Sequence, residues 1–279
     1  MRILSFPAFL AALALGLSIQ FLAASRVQAE SSDLVACELA VPCPVGNRSF
    51  HARLPDNWDG KSPLPVLLHF HGWGRQGPLI MKHGRIAGAT RKLGVLLLAP
   101  NGQGRTWDFW SSDTDDVDFA LQVIEEAAKR WPIDRSKIFV SGYSYGSAMA
   151  WRFACAAGSK VNSLLAVSGS IPDQGEECDA PVNVRHVHGT RDNVMDYPFG
   201  PNGEVEGAVA LWRYHNGCGP KADYLKDWQA VKILQFQRHV WENCSSGKSI
   251  RLDVHKRGHF IPRFWFERNL RELLPSQNG

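Results

Sequence analysis

A serine stands between two glycines in the stretch Gly142-Tyr143-Ser144-Tyr145-Gly146, where a strand-like segment changes into a helix-like one. A chain that turns from strand to helix within so few residues strains the backbone of the turn residue. Glycines on both sides remove the β-carbons that would collide with the helix and a neighbouring strand. The pattern predicts that Ser144 projects above a sheet over a helix N-terminus. The alternative is a glycine-rich turn with an inert serine, since G-x-S-x-G alone is a weak signal.

A serine hydroxyl is a poor nucleophile unless a histidine accepts its proton and a carboxylate orients that histidine. In α/β-hydrolases the chain order is Ser, then Asp or Glu, then His. Asp192 follows a buried strand, and His259 follows a glycine between a strand and the last helix. We therefore predict a Ser144, Asp192 and His259 triad. Asp196 is the rival acid, and His255 is the rival base.

Two backbone N–H groups are candidates for stabilising negative charge next to Ser144. Lipases and esterases of the α/β-hydrolase fold carry an HG-type motif in the loop after an early strand. In "LLHFHGWGRQG" (67–77) that motif is His71-Gly72, so the N–H of Trp73 is one predicted oxyanion donor. The N–H of Tyr145, directly after the nucleophile, is the other.

Three indoles are candidates for lining a substrate pocket. Trp107 and Trp110 follow the carboxyl end of a predicted strand, and Trp73 lies in the oxyanion loop. Loops above a parallel sheet are where binding residues gather. We expect a short or aromatic acyl group against Trp107. The alternative is that these rings serve the core, as most of the ten tryptophans must.

Short apolar runs alternate with amphipathic helical patterns along the chain. Such alternation predicts an α/β protein with a mainly parallel sheet covered on both faces. We predict one domain over residues 30–279. The strand predictions are 65–70, 95–100, 137–142, 163–169, 182–189 and 249–255, and the helix predictions are 115–131, 204–217 and 262–274.

The N-terminus has the features of a secretory signal. Arg2 precedes an almost uncharged run, and small residues at Val27 and Ala29 suit signal peptidase. We predict cleavage after Ala29, with an uncleaved membrane anchor as the alternative. Cleavage removes Arg2 and Arg26 and no acid, so the net charge falls from +4 to +2. So small a charge indicates no nucleic-acid partner, and after cleavage we expect no membrane association and a secreted or periplasmic location.

The cysteine and histidine patterns favour disulfides over a metal site. All six cysteines lie after residue 29, none in a C-x-x-C spacing, and they allow 15 pairings. Each of the two H-x-H pairs, His69 with His71 and His186 with His188, could share a strand face and bind a metal. Neither has a carboxylate at ligand spacing on its amino side, so we predict no metal.

Taken together, these stretches resemble the secreted α/β-hydrolases called polyhydroxybutyrate depolymerases, which are related to feruloyl and acetylxylan esterases. The resemblance covers roughly residues 45–272. It implies an α/β-hydrolase fold, the triad above and no cofactor. It also implies pairing of Cys218 with Cys244 and of Cys155 with Cys178, and a third bridge between Cys37 and Cys43 is expected. The motifs that carry it are "LPVLLHFHGWG", "LLLAPNGQGRTWDFW", "DDVDFALQVIEEAAKRWPIDRSKIFVSGYSYG", "HGTRDNVMDY", "RYHNGCG" and "GHFIP".

The chain departs from that family beside the predicted catalytic groups. Ile261 and Arg263 stand where the histidine loop of the family usually has tryptophan and glycine, and Trp73 replaces a small or sulfur-containing residue. We therefore expect a serine carboxylester hydrolase acting on a short-chain, hydroxyalkanoate or aromatic acyl ester, with the substrate less defined than the reaction. The alternatives are a serine peptidase of the same fold and an inactive hydrolase fold that serves as a binding protein.

Overall fold

A single sheet of ten strands organises the part of the chain that the computed structural model describes, residues 41–274 without 112 and 172–176. The strand order is β1-β2-β4-β3-β5-β6-β7-β10-β9-β8. The six strands from β4 to β10 in that order are parallel, and antiparallel strands flank them on both sides. The strands are β1 (Cys43–Val45), β2 (Arg48–Arg53), β3 (Leu64–Phe70), β4 (Leu96–Pro100), β5 (Ile133–Tyr143), β6 (Ser163–Val167), β7 (Asn183–Gly189), β8 (Tyr224–Val231), β9 (Leu234–Trp241) and β10 (Ile250–His255).

Five α-helices lie between these strands and a sixth follows the last strand in the described residues, and they confirm the predicted α/β class. The helices are α1 (Gly77–Met81), α2 (Ala87–Lys92), α3 (Asp115–Arg130), α4 (Tyr145–Ala156), α5 (Gly207–His215) and α6 (Trp265–Leu273). Helix α3 shows why its sequence forms a helix. Thr114 caps its first turn by accepting a hydrogen bond from the Asp116 N–H at 3.3 Å, acids follow in that turn, and Lys129 and Arg130 end it.

The six predicted strands form the parallel centre of the sheet. Strands β4 and β6 are buried at every position, which is typical of strands covered by helices on both faces. The last helix begins later than the sequence predicts, at Trp265 instead of Pro262. Phe264 lies before it with a φ of 63°, and this left-handed residue turns the chain before the helix can start.

The antiparallel edges were not predicted. Strand β8 is exposed along its first four residues, so it lacks the apolar run that marks a buried strand. Strand β9, "LQFQRHVW", alternates between buried and exposed positions along most of its length. This period of two is the sequence pattern that indicates a half-buried strand.

Two disulfides in the described residues join the C-terminal ends of helices α4 and α5 to segments later in the chain. Cys155 at the end of α4 pairs with Cys178, and Cys218 after α5 pairs with Cys244 after β9. Both are the pairings that the family resemblance implies. The expected bridge between Cys37 and Cys43 involves a residue outside the described part of the chain.

The predicted signal peptide, residues 1–29, also lies outside the described residues. Between residues 41 and 274, apart from the gaps given above, no helix combines the length and the apolar character needed to cross a membrane.

Helix α4 begins in direct backbone contact with strand β3. A β-carbon on Gly146 would lie 2.1 Å from the carbonyl oxygen of Phe70 and 2.4 Å from that of His71. A β-carbon on Gly142 would lie 1.9 Å from the carbonyl oxygen of Gly146. These glycines are therefore required because no side chain fits between the helix start, its own strand β5 and the neighbouring strand β3.

This close approach predicts a stability difference between two Gly-to-Ala substitutions. Gly146→Ala forces backbone atoms apart and should lower the free energy of unfolding by about 1–3 kcal/mol. Gly88→Ala, in helix α2 with no heavy atom beyond its chain neighbours and its own helix backbone within 4 Å of the new β-carbon, should be neutral or stabilising by up to about 1 kcal/mol. Urea unfolding of both variants measures the difference, and equal stabilities would contradict the packing described here.

Candidate active site

Ser144 occupies a strained turn between β5 and α4. Its φ is 58° and its ψ is −126°, a conformation that costs a non-glycine residue on the order of 1–3 kcal/mol. Backbone hydrogen bonds hold it there: its N–H donates to the Val167 carbonyl at 3.0 Å, and its own carbonyl accepts from the Ser147 and Ala148 N–H groups. The fold therefore fixes the serine at the carboxyl ends of the central strands, above the start of α4.

Asp192 and His259 form a hydrogen-bonded pair near the same edge of the sheet. Asp192 lies in the loop after β7 and His259 in the loop after β10, and these two strands are parallel neighbours. The Nδ1 atom of His259 lies 2.8 Å from Oδ2 of Asp192. Because an ionised carboxylate only accepts hydrogen bonds, Nδ1 carries the proton. In the neutral imidazole, Nε2 is then left with the lone pair that a general base needs.

The Asp192 carboxylate is held in its ionised form. Burial alone would raise its pKa, but hydrogen bonds from His259 and from the Val194 and Met195 N–H groups outweigh that effect and lower it. Its side chain is fully buried, whereas the His259 side chain is 14% exposed. A fixed negative charge behind a partly accessible imidazole is suited to stabilising the imidazolium that forms when His259 takes a proton.

Tyr143 links the serine turn to the histidine loop. Its ring packs on the His259 ring with centroids 4.7 Å apart, and its hydroxyl donates to the His259 carbonyl at 3.2 Å. Burial, and then the charge of Asp192, raise the pKa of Tyr143 to about 12, so it stays protonated. The Ser144 hydroxyl itself makes no hydrogen bond to the described residues, and in enzymes without substrate such catalytic contacts are commonly long.

His255 and Asp196, the alternative base and acid, do not belong to this hydrogen-bonded pair. His255 is the last residue of β10; it is buried, and its Nδ1 accepts a hydrogen bond from the Arg257 N–H at 3.2 Å. Asp196 is exposed and lines a cleft, and no hydrogen bond joins it to a histidine in the described structure. The geometry thus favours Asp192 and His259 over the neighbours that sequence spacing left open.

The loop after β3 approaches Ser144 closely. A β-carbon on Gly72 would lie 3.6 Å from the Cβ of Ser144, so the following Trp73 N–H is near the serine. Tyr145 provides the first N–H of helix α4. Within residues 41–274, outside the gaps, neither the Trp73 nor the Tyr145 N–H donates a hydrogen bond to another group. Two such free donors are what an oxyanion requires.

His71 and Trp107 hold this loop in place. The Nδ1–H of His71 donates to the Gly72 carbonyl, and its Nε2 accepts from the Gly102 N–H at 3.1 Å. Burial lowers the pKa of His71 to about 4, so the ring stays neutral and keeps both roles. The indole N–H of Trp107 donates to the His71 carbonyl at 2.7 Å.

The expected pocket of three indoles is therefore corrected. Trp107 is only 2% exposed and packs on Phe70 and His71, so it supports the oxyanion loop from below and offers no face to an acyl group. Trp73 is 69% exposed and Trp110 is 56% exposed. Their sequence position predicted that Trp107 and Trp110 lie in the loop after a strand. It did not predict that Trp107 would be buried and Trp110 exposed.

Two clefts are lined by the chain neighbours of Ser144, one by Tyr145 and the other by Tyr143. The first, which we call the Trp110 cleft, has a volume of about 510 Å³ and adjoins Tyr145. Its walls include Phe109, Trp110, Tyr145, Val194, Asp196 and Tyr197. The second, the Arg263 cleft, has a volume of about 880 Å³ and adjoins Tyr143. Its walls include His83, Arg85, Tyr143, Phe260, Arg263 and Phe264.

The two H-x-H pairs have different surroundings, and neither is part of a metal-binding group among the described residues. His69 hydrogen-bonds to Ser141. His188 lies behind Asp192, with its Nε2 3.3 Å from Oδ2 of Asp192 and donating to the Met195 carbonyl. Its Nδ1 lies 3.3 Å from Nε2 of His186. The H-x-H spacing indicated His186 and His188 only as possible metal ligands, and no local pattern showed that His188 contacts the acid.

No protein-family model matches the chain. The bifunctional acetylxylan esterase/xylanase XynS20E of Neocallimastix patriciarum is 26% identical over 215 residues, which cover 76% of this chain and 31% of that protein. Feruloyl esterase D of Neurospora crassa is 23% identical over 225 residues, covering 76% of this chain and 74% of that protein. Feruloyl esterase C of Emericella nidulans is 22% identical over 184 residues, covering 63% and 64%. The chain thus resembles feruloyl and acetylxylan esterases.

Solved structures show the same fold. An acetyl xylan esterase from Aspergillus awamori superposes with a TM-score of 0.59 at 13% identity, covering 81% of this chain and 94% of that one. A carboxylesterase from Bacillus cereus gives a TM-score of 0.52 at 16% identity, covering 82% and 94%. The protein has the α/β-hydrolase fold, with a mostly parallel central sheet and helices.

The geometry predicts a large difference between two neighbouring aspartates. Asp192→Asn removes the charge behind His259 and should lower kcat for an ester by about 10²- to 10⁴-fold. Asp196→Asn, four residues further on, should cost less than about ten-fold, because His259 pairs with Asp192 and no hydrogen bond joins it to Asp196 in the described residues. Steady-state kinetics with circular dichroism as a folding control measures both. A larger loss for Asp196→Asn would show that the acid was wrongly assigned.

Proposed function

We propose that the protein is a serine carboxylester hydrolase with Ser144 as nucleophile, His259 as general base and Asp192 as the acid that orients it. The observation that carries this proposal is the 2.8 Å hydrogen bond between Asp192 and His259 beside a strained serine turn. A hydrogen-bonded acid and base near an activated nucleophile are the signature of covalent acyl transfer.

In the first half of the reaction, the Ser144 Oγ attacks the ester carbonyl carbon while His259 Nε2 takes the hydroxyl proton. The carbonyl oxygen becomes an oxyanion, and the free N–H groups of Trp73 and Tyr145 donate to it. Removing one such donor typically costs about 10²- to 10³-fold in kcat in related chemistry. His259 then gives its proton to the alkoxide oxygen as the bond between the carbonyl carbon and that oxygen breaks.

In the second half, a water attacks the acyl-serine, His259 takes a proton from that water, and the carboxylic acid leaves as Ser144 regains its proton. Asp192 remains ionised throughout, and its hydrogen bond keeps the imidazole in the required tautomer. The steps use only groups of the protein and water, so no cofactor enters the mechanism.

The relatives support an ester substrate. Their names describe the hydrolysis of acetylxylan and feruloyl esters. The Trp110 cleft fits the acyl half of such a molecule, because the exposed Trp110 ring and Tyr145 supply aromatic walls next to the nucleophile. The buried Phe109 packs against both rings from the core side. We therefore propose a small or oligomeric ester with a short or aromatic acyl group. A hydroxyalkanoate ester, which the sequence resemblance also implies, belongs in the same substrate panel.

Secretion is part of the proposal. Disulfides form and persist in oxidising compartments, and two are present in the described residues. Together with the predicted signal at residues 1–29, they support a secreted or periplasmic location.

Two other functions use the same fold. A serine peptidase would cleave amides with the same triad, and an inactive binding protein would cleave nothing. The free oxyanion donors and the ordered Asp192–His259 pair favour an active enzyme over a binding protein. The similarity to esterases favours ester over amide hydrolysis.

A paired substrate panel tests the proposal. Nitrophenyl acetate, nitrophenyl butyrate and methyl ferulate should be hydrolysed, and a nitrophenyl decanoate and a nitroanilide should be poor substrates. Ser144→Ala should lower kcat on the best ester by about 10⁴- to 10⁶-fold while the thermal midpoint stays nearly unchanged, because the nucleophile and base act as one unit. Faster anilide than ester turnover would favour the peptidase. Residual activity above about a tenth of wild type in Ser144→Ala would overturn the proposal.

A further inference from the structure

The Arg263 cleft is lined by chain neighbours of both Ser144 and His259. Tyr143, directly before the nucleophile, forms one wall of this cleft, and Tyr145, directly after it, lines the Trp110 cleft. Phe260 and Ile261, the two residues after His259, also line the Arg263 cleft. The two clefts therefore approach the reacting serine from opposite neighbours in the chain.

The chemistry assigns the two halves of an ester to these two clefts. His259 must deliver a proton to the departing alkoxide oxygen, so the alcohol half has to lie within reach of the His259 ring. The Arg263 cleft is continuous with the histidine loop and with Tyr143, whose ring packs on His259 with centroids 4.7 Å apart. The alcohol half therefore extends into the Arg263 cleft when the acyl half occupies the Trp110 cleft.

The Arg263 cleft carries an excess of positive charge. Neither Arg85 nor Arg263 has a carboxylate within 4.0 Å in the described residues, and Arg85 instead donates to the carbonyl oxygen of Ile261. The acid of this cleft, Glu267, is already paired with Lys92 at 2.7 Å and with Arg271 at 2.9 Å. Two guanidinium groups without a matching anion thus face one cleft.

Aromatic rings accompany both guanidinium groups. The Arg263 guanidinium lies 5.7 Å from the centre of the Phe264 ring, and that of Arg85 lies 6.0 Å from the centre of the Phe260 ring. Phe264 is 48% exposed, and its φ of 63° is a strained conformation for an aromatic residue. The cleft thus combines flat apolar walls with planar cations, a combination that binds a carboxylate attached to a ring or a compact carbon skeleton.

We infer that the Arg263 cleft is the leaving-group subsite and selects esters whose alcohol half bears a carboxylate, with Arg263 as the residue that determines this specificity. The inference rests on the proposed function.

Two matched esters test the inference. 4-Acetoxybenzoate and 4-acetoxybenzamide share the acetyl group and nearly the same shape, but only the first has an anionic alcohol half. We expect wild type to prefer the benzoate by about five-fold or more in kcat/KM, a factor that corresponds to a partly exposed ion pair. The preference should fall clearly in Arg263→Gln, where Arg85 alone remains as the cation of the cleft, be largely kept in Arg263→Lys, and be smallest in Arg263→Glu. Added salt should weaken it in wild type.

Lys256→Gln is the matched control, because Lys256 is an exposed cation of the same histidine loop that lines a different cleft. Its benzoate preference should equal that of wild type. A wild type without the preference, or one that Arg263→Gln leaves unchanged, would overturn the subsite while the proposed esterase function stands. If wild type hydrolyses neither ester and also leaves phenyl acetate intact, the proposed function itself is wrong and the subsite is wrong with it.

Discussion

The backbone contact between the start of helix α4 and the end of strand β3 is the constraint on which the site depends. With β-carbons excluded at Gly142 and Gly146, the helix begins directly against the Phe70 and His71 carbonyls. The intervening Ser144 must then adopt its strained conformation, which the sheet and helix hold through three backbone hydrogen bonds. The same contact places the first helical N–H and the loop after β3 on one side of the serine, so nucleophile and oxyanion donors have a common structural cause.

A second constraint is that both oxygens of the Asp192 carboxylate accept hydrogen bonds. One of its oxygens accepts from two backbone N–H groups, and the other accepts from His259 and contacts His188. Burial would otherwise favour the neutral acid, so this set of contacts is what preserves the charge behind His259. His188 and His186 are buried, and burial lowers the pKa of each. Two neutral imidazole rings therefore lie behind the loop that carries Asp192.

Sequence patterns predicted the structural elements that depend on residues close together in the chain. They missed the features that depend on tertiary packing. Continuous apolar runs identified the parallel strands, and glycine spacing identified the serine turn, because both signals lie within a few residues. Trp107 was wrongly expected to face substrate, since its position after a strand does not reveal that its N–H would be needed by the His71 carbonyl. The backing role of His188 and the shared cleft of Arg85 and Arg263 join residues far apart in the chain, and no local pattern encodes them.

Covalent labelling tests the central claim that Ser144 is an activated nucleophile. Purified protein would be treated with a fluorophosphonate, digested, and mapped by mass spectrometry, with Ser144→Ala and His259→Ala treated in parallel. We expect a single adduct on the peptide that carries Ser144, absent from Ser144→Ala and formed far more slowly in His259→Ala. An adduct on another residue, or a wild-type protein that stays unlabelled, would contradict it.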